Sequence, residues 1–465
     1  MPCCRPGDPA LGRPAPALGS LAVPLLFHVV RSHLVLSAGV LVSLTAVRSR
    51  LGTTRAQVPT QRANPSTDRP RRSVVLLVFI LGVLSATSSL ATDLYLPAFP
   101  EIAADLKAPE SQIQLTLTAV MVGLALGQLV IGPLSDQLGR RKPLLVGIAV
   151  FAATSFLCMV VQTAEVFSLV RFVQGLAAAA GMVIARAVVR DTFDGDSAAK
   201  FFSRLVLLVG LAPMLGPLLG GQLLLMGPWQ LIFAVLGVAG LAGFALVLFG
   251  LPESLPVEER TRQHPGQMLR LFGRLIVDPR FIGPTLTMAL SFAMSFTYIS
   301  AFSFVSQSEF AATPQQFSLI FGINTLGMIL GNQVNAALIG KVHTTRRLLY
   351  GLFGAAASVA LLLALDLSGL ATLVTVTAVL FVMMFFTGLI SPNATTLAIV
   401  SQPASAAGSA SALLGTLQFA LGGTIAAAAG LHGGTTMTNM TLVMLGTAVA
   451  ATAVFVVVAA RGHAK

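Results

Sequence analysis

Charge is scarce in this sequence. Only 10% of its residues are Asp, Glu, Lys or Arg, whereas soluble domains average about 25%. A water-soluble globular protein is excluded on that count. Cysteine is nearly absent: Cys3 and Cys4 lie close to the start, and Cys158 sits in an apolar run. Three such residues form neither a disulfide framework nor a metal-ligand spacing. The six His are scattered. No His-rich metal motif, serine-nucleophile elbow or phosphate-binding loop is present, so the sequence does not read as an enzyme. Strict apolar/polar alternation is also missing, which argues against a membrane β-barrel. Long extramembrane segments are few, which argues against a receptor.

The net charge of +12 is not a nucleic-acid signal. Residues 1–72 hold ten Arg against Asp8 and Asp68, or +8, leaving only +4 for the rest. These 72 residues contain no Lys and read as an N-terminal extension, disordered or translated from an upstream start. Their apolar pieces, 18–30 and 34–47, are too short to span a bilayer.

What remains is apolar. Hydrophobic residues make up 55% of the chain, and there are 43 Gly, as suits helices that pack closely in lipid. A spanning helix needs about 20 mostly apolar residues. Such runs occur at 74–98, 112–134, 144–162, 166–188, 203–226, 229–251, 281–305, 316–339, 347–366, 370–391, 406–429 and 436–460. The predicted fold class is therefore all-α, a polytopic membrane protein with twelve transmembrane helices in two six-helix halves. Residues 73–252 form the first half and 281–465 the second, joined by a cytoplasmic linker at 253–280. Lys and Arg collect in alternate connections, including Arg140, Arg141, Lys142, Arg190 and Lys341. By the positive-inside rule both termini are cytoplasmic, in a bacterial inner membrane. Within the linker, Met268, Leu269, Phe272, Leu275 and Ile276 share one helical face and Arg270 and Arg274 the other. That pattern predicts a helix lying in the membrane surface.

The halves read as a repeat. Gly132 is taken to end the second span and Gly340 the eighth. Their separation of 208 residues is close to the 207 between the starts of the first and seventh spans (281 − 74). Parallel repeats of this kind place a substrate cavity between the halves near the midplane.

Polar residues inside the spans are few. Asp93 follows Thr92 at the end of the first span. Apart from Asp366 at the end of the ninth, it is the only acid within the predicted spans. A carboxyl there can take a proton from one side and release it to the other. Arg171 in the fourth span is costly to bury, by about 2.5 kcal/mol or more, and predicts a partner or a cavity. In the fifth span, Gly216 and Gly220 form a small-residue face, while Pro213 and Pro217 remove backbone donors. Cavity candidates are Tyr95, Gln128, Gln174, Phe292, Phe296, Tyr298, Asn324, Asn332 and Gln418, which offer aromatic faces and amides.

The loop after the second span reads Gly132-Pro-Leu-Ser-Asp136-Gln-Leu-Gly139-Arg140-Arg141. It resembles the G-x-L-x-D-x-x-G-R-[RK] motif of the major facilitator superfamily at every defining position. The resemblance implies the major facilitator fold over about residues 73–460. It assigns a conformational latch to Gly132, Asp136, Gly139, Arg140 and Arg141. The second-half counterpart lacks the Asp.

Arg171-Phe-Val-Gln174-Gly175 is similar to the superfamily's R-x-x-Q-G motif, associated there with proton transfer. Gly216-Pro217-Leu-Leu-Gly220-Gly221, with Pro213 ahead of it, resembles the antiporter motif of drug exporters. Thr92-Asp93-Leu-Tyr95-Leu-Pro97-Ala98 is similar to the first helix of the bicyclomycin/chloramphenicol-resistance exporters. That likeness implies proton-coupled efflux of drug-like small molecules, with Asp93 and Arg171 as the coupling pair. It implies no cofactor beyond the proton gradient, contact with lipid but not nucleic acid, and action as a monomer. A transporter of a physiological solute, such as a sugar, amino acid or siderophore, is the alternative on the same fold.

Overall fold

The computed structural model describes residues 71–192, 210–260, 265–403, 406–427 and 435–463. The extension at 1–70 lies outside them. Among the described residues there is no strand, and eleven helices are long and apolar enough to cross a bilayer. In chain order the helices are α1 (Arg71–Asp93), α2 (Glu110–Leu138), α3 (Arg141–Cys158) and α4 (Ala164–Thr192). Next come α5, described over 210–223, and α6 (Gln230–Gly250). The second set is α7 (Pro279–Phe304), α8 (Pro314–Ala337), α9 (Thr344–Leu367), α10 (Leu373–Val400), α11 (Ala407–Ala427) and α12 (Met437–His463).

Glycine sets the closest helix contacts. A Cβ on Gly123 would lie 2.2 Å from the Phe172 carbonyl, and one on Gly127 2.6 Å from the Leu176 carbonyl. The second half repeats this. Gly327 meets the Phe381 carbonyl at 2.6 Å and Gly331 the Phe385 carbonyl at 1.9 Å. The glycine pairs are 204 residues apart (327 − 123) and their carbonyl partners 209 (381 − 172). The internal repeat thus shows as one packing device, α2 on α4 and α8 on α10. Across the halves, α2 runs against α11.

The expected equivalence of Gly132 and Gly340 is wrong. Gly132 and Pro133 lie inside α2, which continues to Leu138. A proline costs a helix one donor but need not end it when surrounding packing holds the turn. The chain reverses at Gly139, whose φ is +88°, and Gly340, at +80°, is its counterpart. Positive φ of this kind is what glycine adopts at little steric cost.

In the linker, a helix forms at Pro265–Val277 and packs against α7 and α11. Leu275 is buried and Phe272 rests on the core. Ile276, predicted for the same face, is exposed instead.

Candidate transport site

The first helix breaks at the acid. α1 ends at Asp93, a 3-10 turn follows at Leu96–Ala98, and a short helix resumes at Phe99–Asp105. Two prolines make the break. Pro97 and Pro100 have no N–H to give the carbonyls four residues back, at Asp93 and Leu96. Asp93 is buried, and its carboxylate accepts from Thr92 Oγ1 at 3.1 Å.

α5 lies directly on this break. A Cβ on Gly216 would fall 2.8 Å from Asp93 Cβ, and one on Gly220 1.9 Å from the Leu94 carbonyl oxygen. Gly221 faces the Ser318 hydroxyl of α8 in the other half. Within the same helix Pro217 is buried and Pro213 half-buried.

Arg171 is fully buried. Its guanidinium donates to Gln174 Oε1 and, at 2.6 Å, to the Ala91 carbonyl of α1. It sits 4.1 Å above the Tyr95 ring and 5.4 Å from that of Phe233. Ring faces attract a cation, the more so when it is desolvated. Gln174 in turn donates to Ser155 at 2.7 Å, and Tyr95 shares a 3.1 Å hydrogen bond with Thr116. Among the described residues no carboxylate pairs with Arg171. Arg171 and Asp93 thus address the same stretch of α1, two residues apart, without forming an ion pair.

The cavity candidates do not form one group. Gln174 is spent on Arg171 and Ser155, because R-x-x-Q spacing puts both side chains on one helical face. Asn332 is exposed, while Asn335, three residues on, is buried. Tyr95 belongs to the Arg171 cluster. Tyr298 accepts from Asn324 at 2.9 Å, and both are fully buried. Phe292 stacks on Phe296 and meets Phe419 edge-on. Gln128, Phe292 and Gln418 are half-buried.

The polar cluster around the Gly139 turn is larger than the sequence motif. Arg140 binds Asp136 at 2.5 Å, Asp191 at 2.7 Å and Ser135 at 2.8 Å. Glu253 accepts from the Arg140 N–H at 2.7 Å and from the Arg141 N–H at 3.2 Å. The Arg141 guanidinium caps the end of α6 through the Leu248 carbonyl at 2.5 Å. Asp191 and Glu253 were not anticipated. In the second half, Arg347 donates to Asn335 Oδ1 at 2.8 Å, which also accepts from Asn393 at 2.7 Å. A neutral amide stands there where the first half uses acids.

Burial alone would raise the Glu253 carboxyl. The N–H groups of Arg140, Leu255 and Arg141 and the charge of Arg260 outweigh it and hold the group below its ordinary range. The stability Glu253 adds is therefore present above about pH 4.3, its unfolded value. It is lost as pH falls through the lower folded value. Acid titration of purified protein should show Glu253→Gln lacking that part of the low-pH loss. An unchanged acid limb in the variant would refute this.

At the end of the bundle away from Arg140, the halves are tied together. Ser303 of α7 donates to the Leu96 carbonyl at 2.5 Å and Gln307 to the Pro97 carbonyl at 3.2 Å. Gln315 donates to the Gly221 carbonyl at 2.9 Å, and Gln114 to Thr435 at 2.7 Å.

Comparison with known proteins fits this geometry. A profile of the Major Facilitator Superfamily matches residues 78–427. The chain belongs to that superfamily. It is 40% identical over 377 residues to the uncharacterized MFS-type transporter YdgK of Bacillus subtilis, covering 80% of this chain and 92% of that one. It is 32% identical over 362 residues to the bicyclomycin resistance protein homolog of Haemophilus influenzae, covering 76% and 88%. The nucleoside transporter NupG superposes with a TM-score of 0.66 at 15% identity, over 82% of this chain and 99% of that one. At that identity it shows the fold alone. The chain is thus a multi-pass membrane transporter, not an enzyme. Its likeness to the bicyclomycin-resistance type extends over most of its length.

Proposed function

We propose that this transporter exports small amphipathic compounds in exchange for protons. One observation carries the reading: Asp93, Arg171 and the two glycines of α5 converge on the break in α1. Asp93 takes a proton from outside. α5 packs on the break at Asp93 and Leu94, and Ser303 of α7 donates to it at Leu96, so a change at Asp93 lies next to a contact between the halves. The glycine face of α5 matches the antiporter motif of drug exporters, and the bicyclomycin resistance protein homolog supports the same direction of transport.

In this reading the basic end, with Arg140 and Arg141, is cytoplasmic, both termini are inside, and the membrane is the bacterial inner membrane. The hydrogen bonds from Ser303, Gln307 and Gln114 close the outer end. The transporter works as a monomer and draws on the proton gradient without a cofactor. A charge crossing the membrane supplies about 2.3 kcal/mol per 100 mV, and each pH unit adds about 1.4 kcal/mol. One proton thus sustains a tenfold or larger substrate gradient, which costs about 1.4 kcal/mol.

The test is directional. In an efflux-deficient bacterial host, expression should lower the internal level of at least one drug in a chemically diverse panel. Collapsing the proton gradient should abolish that effect. Higher internal levels of a nutrient, with no drug affected, would identify an importer of a physiological solute instead.

A further inference from the structure

One face of α2 meets the other half rung by rung. Its positions are Gln114, Thr118, Met121, Ala125 and Gln128, at the three- and four-residue spacing that keeps side chains on one helical face. The outer rungs are filled. Gln114 donates to Thr435 at 2.7 Å, and Thr118 to the Gly423 carbonyl of α11 at 2.8 Å. Thr118 and Met121 close on Gly423, where a Cβ would meet them at 3.3 and 3.4 Å. Thr416 of α11 reaches the Ala125 carbonyl at 3.5 Å. The last rung is different. Gln128 stands opposite Gly415, and its Oε1 lies 3.0 Å from where a Cβ on that glycine would be. Apart from this amide, no neighbouring group lies within 4 Å of that position. Two turns nearer the basic end, on the same face of α11, Gly408 has nothing within 4 Å. The seam between the halves is thus shut from Gly423 outward and has room from Gly415 inward.

Gln128 brings an unmet donor to the point where the room begins. Its Nε2 is buried and has no acceptor, although the residue as a whole is half-buried. A buried donor left unpaired costs free energy, and native packing keeps few of them. Aromatic rings stand close by. Phe419 follows Gly415 by four residues on the same face of α11. It meets Phe292 of α7 edge-on, with ring centroids 5.5 Å apart, and both rings are half-buried. An amide donor without a partner therefore faces the same stripe of α11 as two partly open rings, about one helical turn away.

We propose that Gln128 is a substrate-recognition residue. Its amide N–H binds a neutral acceptor, a carbonyl or ether oxygen, on a cargo whose aromatic ring lies against Phe292 and Phe419, in the space that Gly415 leaves free. This rests on the transport reading, in which the gap between the halves is the passage. A neutral donor gives a directional bond without the cost of burying an ion. A site with such a group favours compounds that can pair with it over analogues that cannot. The preferred cargo is then an uncharged aromatic compound bearing a hydrogen-bond acceptor.

N-methylacridone and N-methylacridan test this. They share a tricyclic frame, and the second has a methylene where the first has a ring carbonyl. Scintillation proximity binding of each tritiated compound to the purified full chain gives two Kd values. Wild type should bind the acridone at least about fivefold tighter. Gln128→Leu should bring the two values together by weakening the acridone alone. The same variant should melt no lower than wild type, because the donor it removes has no partner to lose. Gly415→Val fills the free space and should weaken both compounds at least about tenfold. The proposal fails if wild type binds neither compound or does not prefer the acridone. It fails too if Gln128→Leu weakens both alike or melts lower, or if Gly415→Val binds both as wild type does. Inside-out vesicles separate this from the export reading. If the binding results hold but the acridone moves the wrong way, export is wrong and Gln128 stands.

Discussion

In inside-out vesicles energised by a pH gradient, Asp93→Asn is expected to cut drug accumulation to a tenth or less, with the protein still folded. The physical case is narrow and therefore testable. Asparagine has the shape of aspartate and keeps an oxygen for the Thr92 hydroxyl, which binds the carboxylate at 3.1 Å. Packing against Gly216 involves Cβ, which the substitution leaves in place. What changes is the ability to take up and release a proton. A lost proton site removes the driving force, worth about 1.4 kcal/mol per pH unit, but not the binding site. Exchange of labelled for unlabelled drug without a gradient should therefore continue. If the variant still accumulates drug against its gradient, Asp93 is not the coupling group.

The second large effect is steric. Any side chain at position 220 brings Cβ to 1.9 Å from the Leu94 carbonyl oxygen and 3.0 Å from its carbon. Backbone on both sides leaves nothing flexible to move, so α5 and α1 must separate. Gly220→Val should cost about 3 kcal/mol, the upper end for an overpacked site, and abolish transport. Gly210→Ala, where nothing lies within 4 Å, provides the control and should retain activity. Thermal unfolding of the two purified variants reads the difference. Equal melting temperatures would show that the α1–α5 contact is not tight in the working protein.

Most of the architecture was legible because lipid imposes it. A run of about 20 apolar residues has few structures open to it in a bilayer. Most described helix ends fall within about five residues of the expected ones; the largest departure is α10, which runs past 391 and through Pro392 to Val400, and α2 likewise runs on through Gly132 and Pro133 to Leu138. Those residues look like a stop, and only the packing around them overrules it. Asp93 and Arg171 stood out because charge is rare in a span. Asp191 and Glu253 did not, because acids are ordinary in loops, and their partner Arg140 lies 51 and 113 residues away. The amides were harder still. Asn332 and Asn335 have the same chemistry three residues apart, and helix rotation alone decides which faces the core.

The prolines of the first helix have a consequence beyond the bend. Pro100 cannot donate to the Leu96 carbonyl, which accepts the Phe99 N–H and keeps its second lone pair for Ser303 of the opposite half. A residue is thus placed for what it cannot give, and the vacancy becomes an attachment point between two bodies that must part once per cycle. Their hold there is a hydroxyl on a spare lone pair, weak enough to break without a charge being pulled out of its partner. That link parts by a small rearrangement of neutral groups, whereas at the same end the Glu110 carboxylate must also release the Thr435 N–H of the other half.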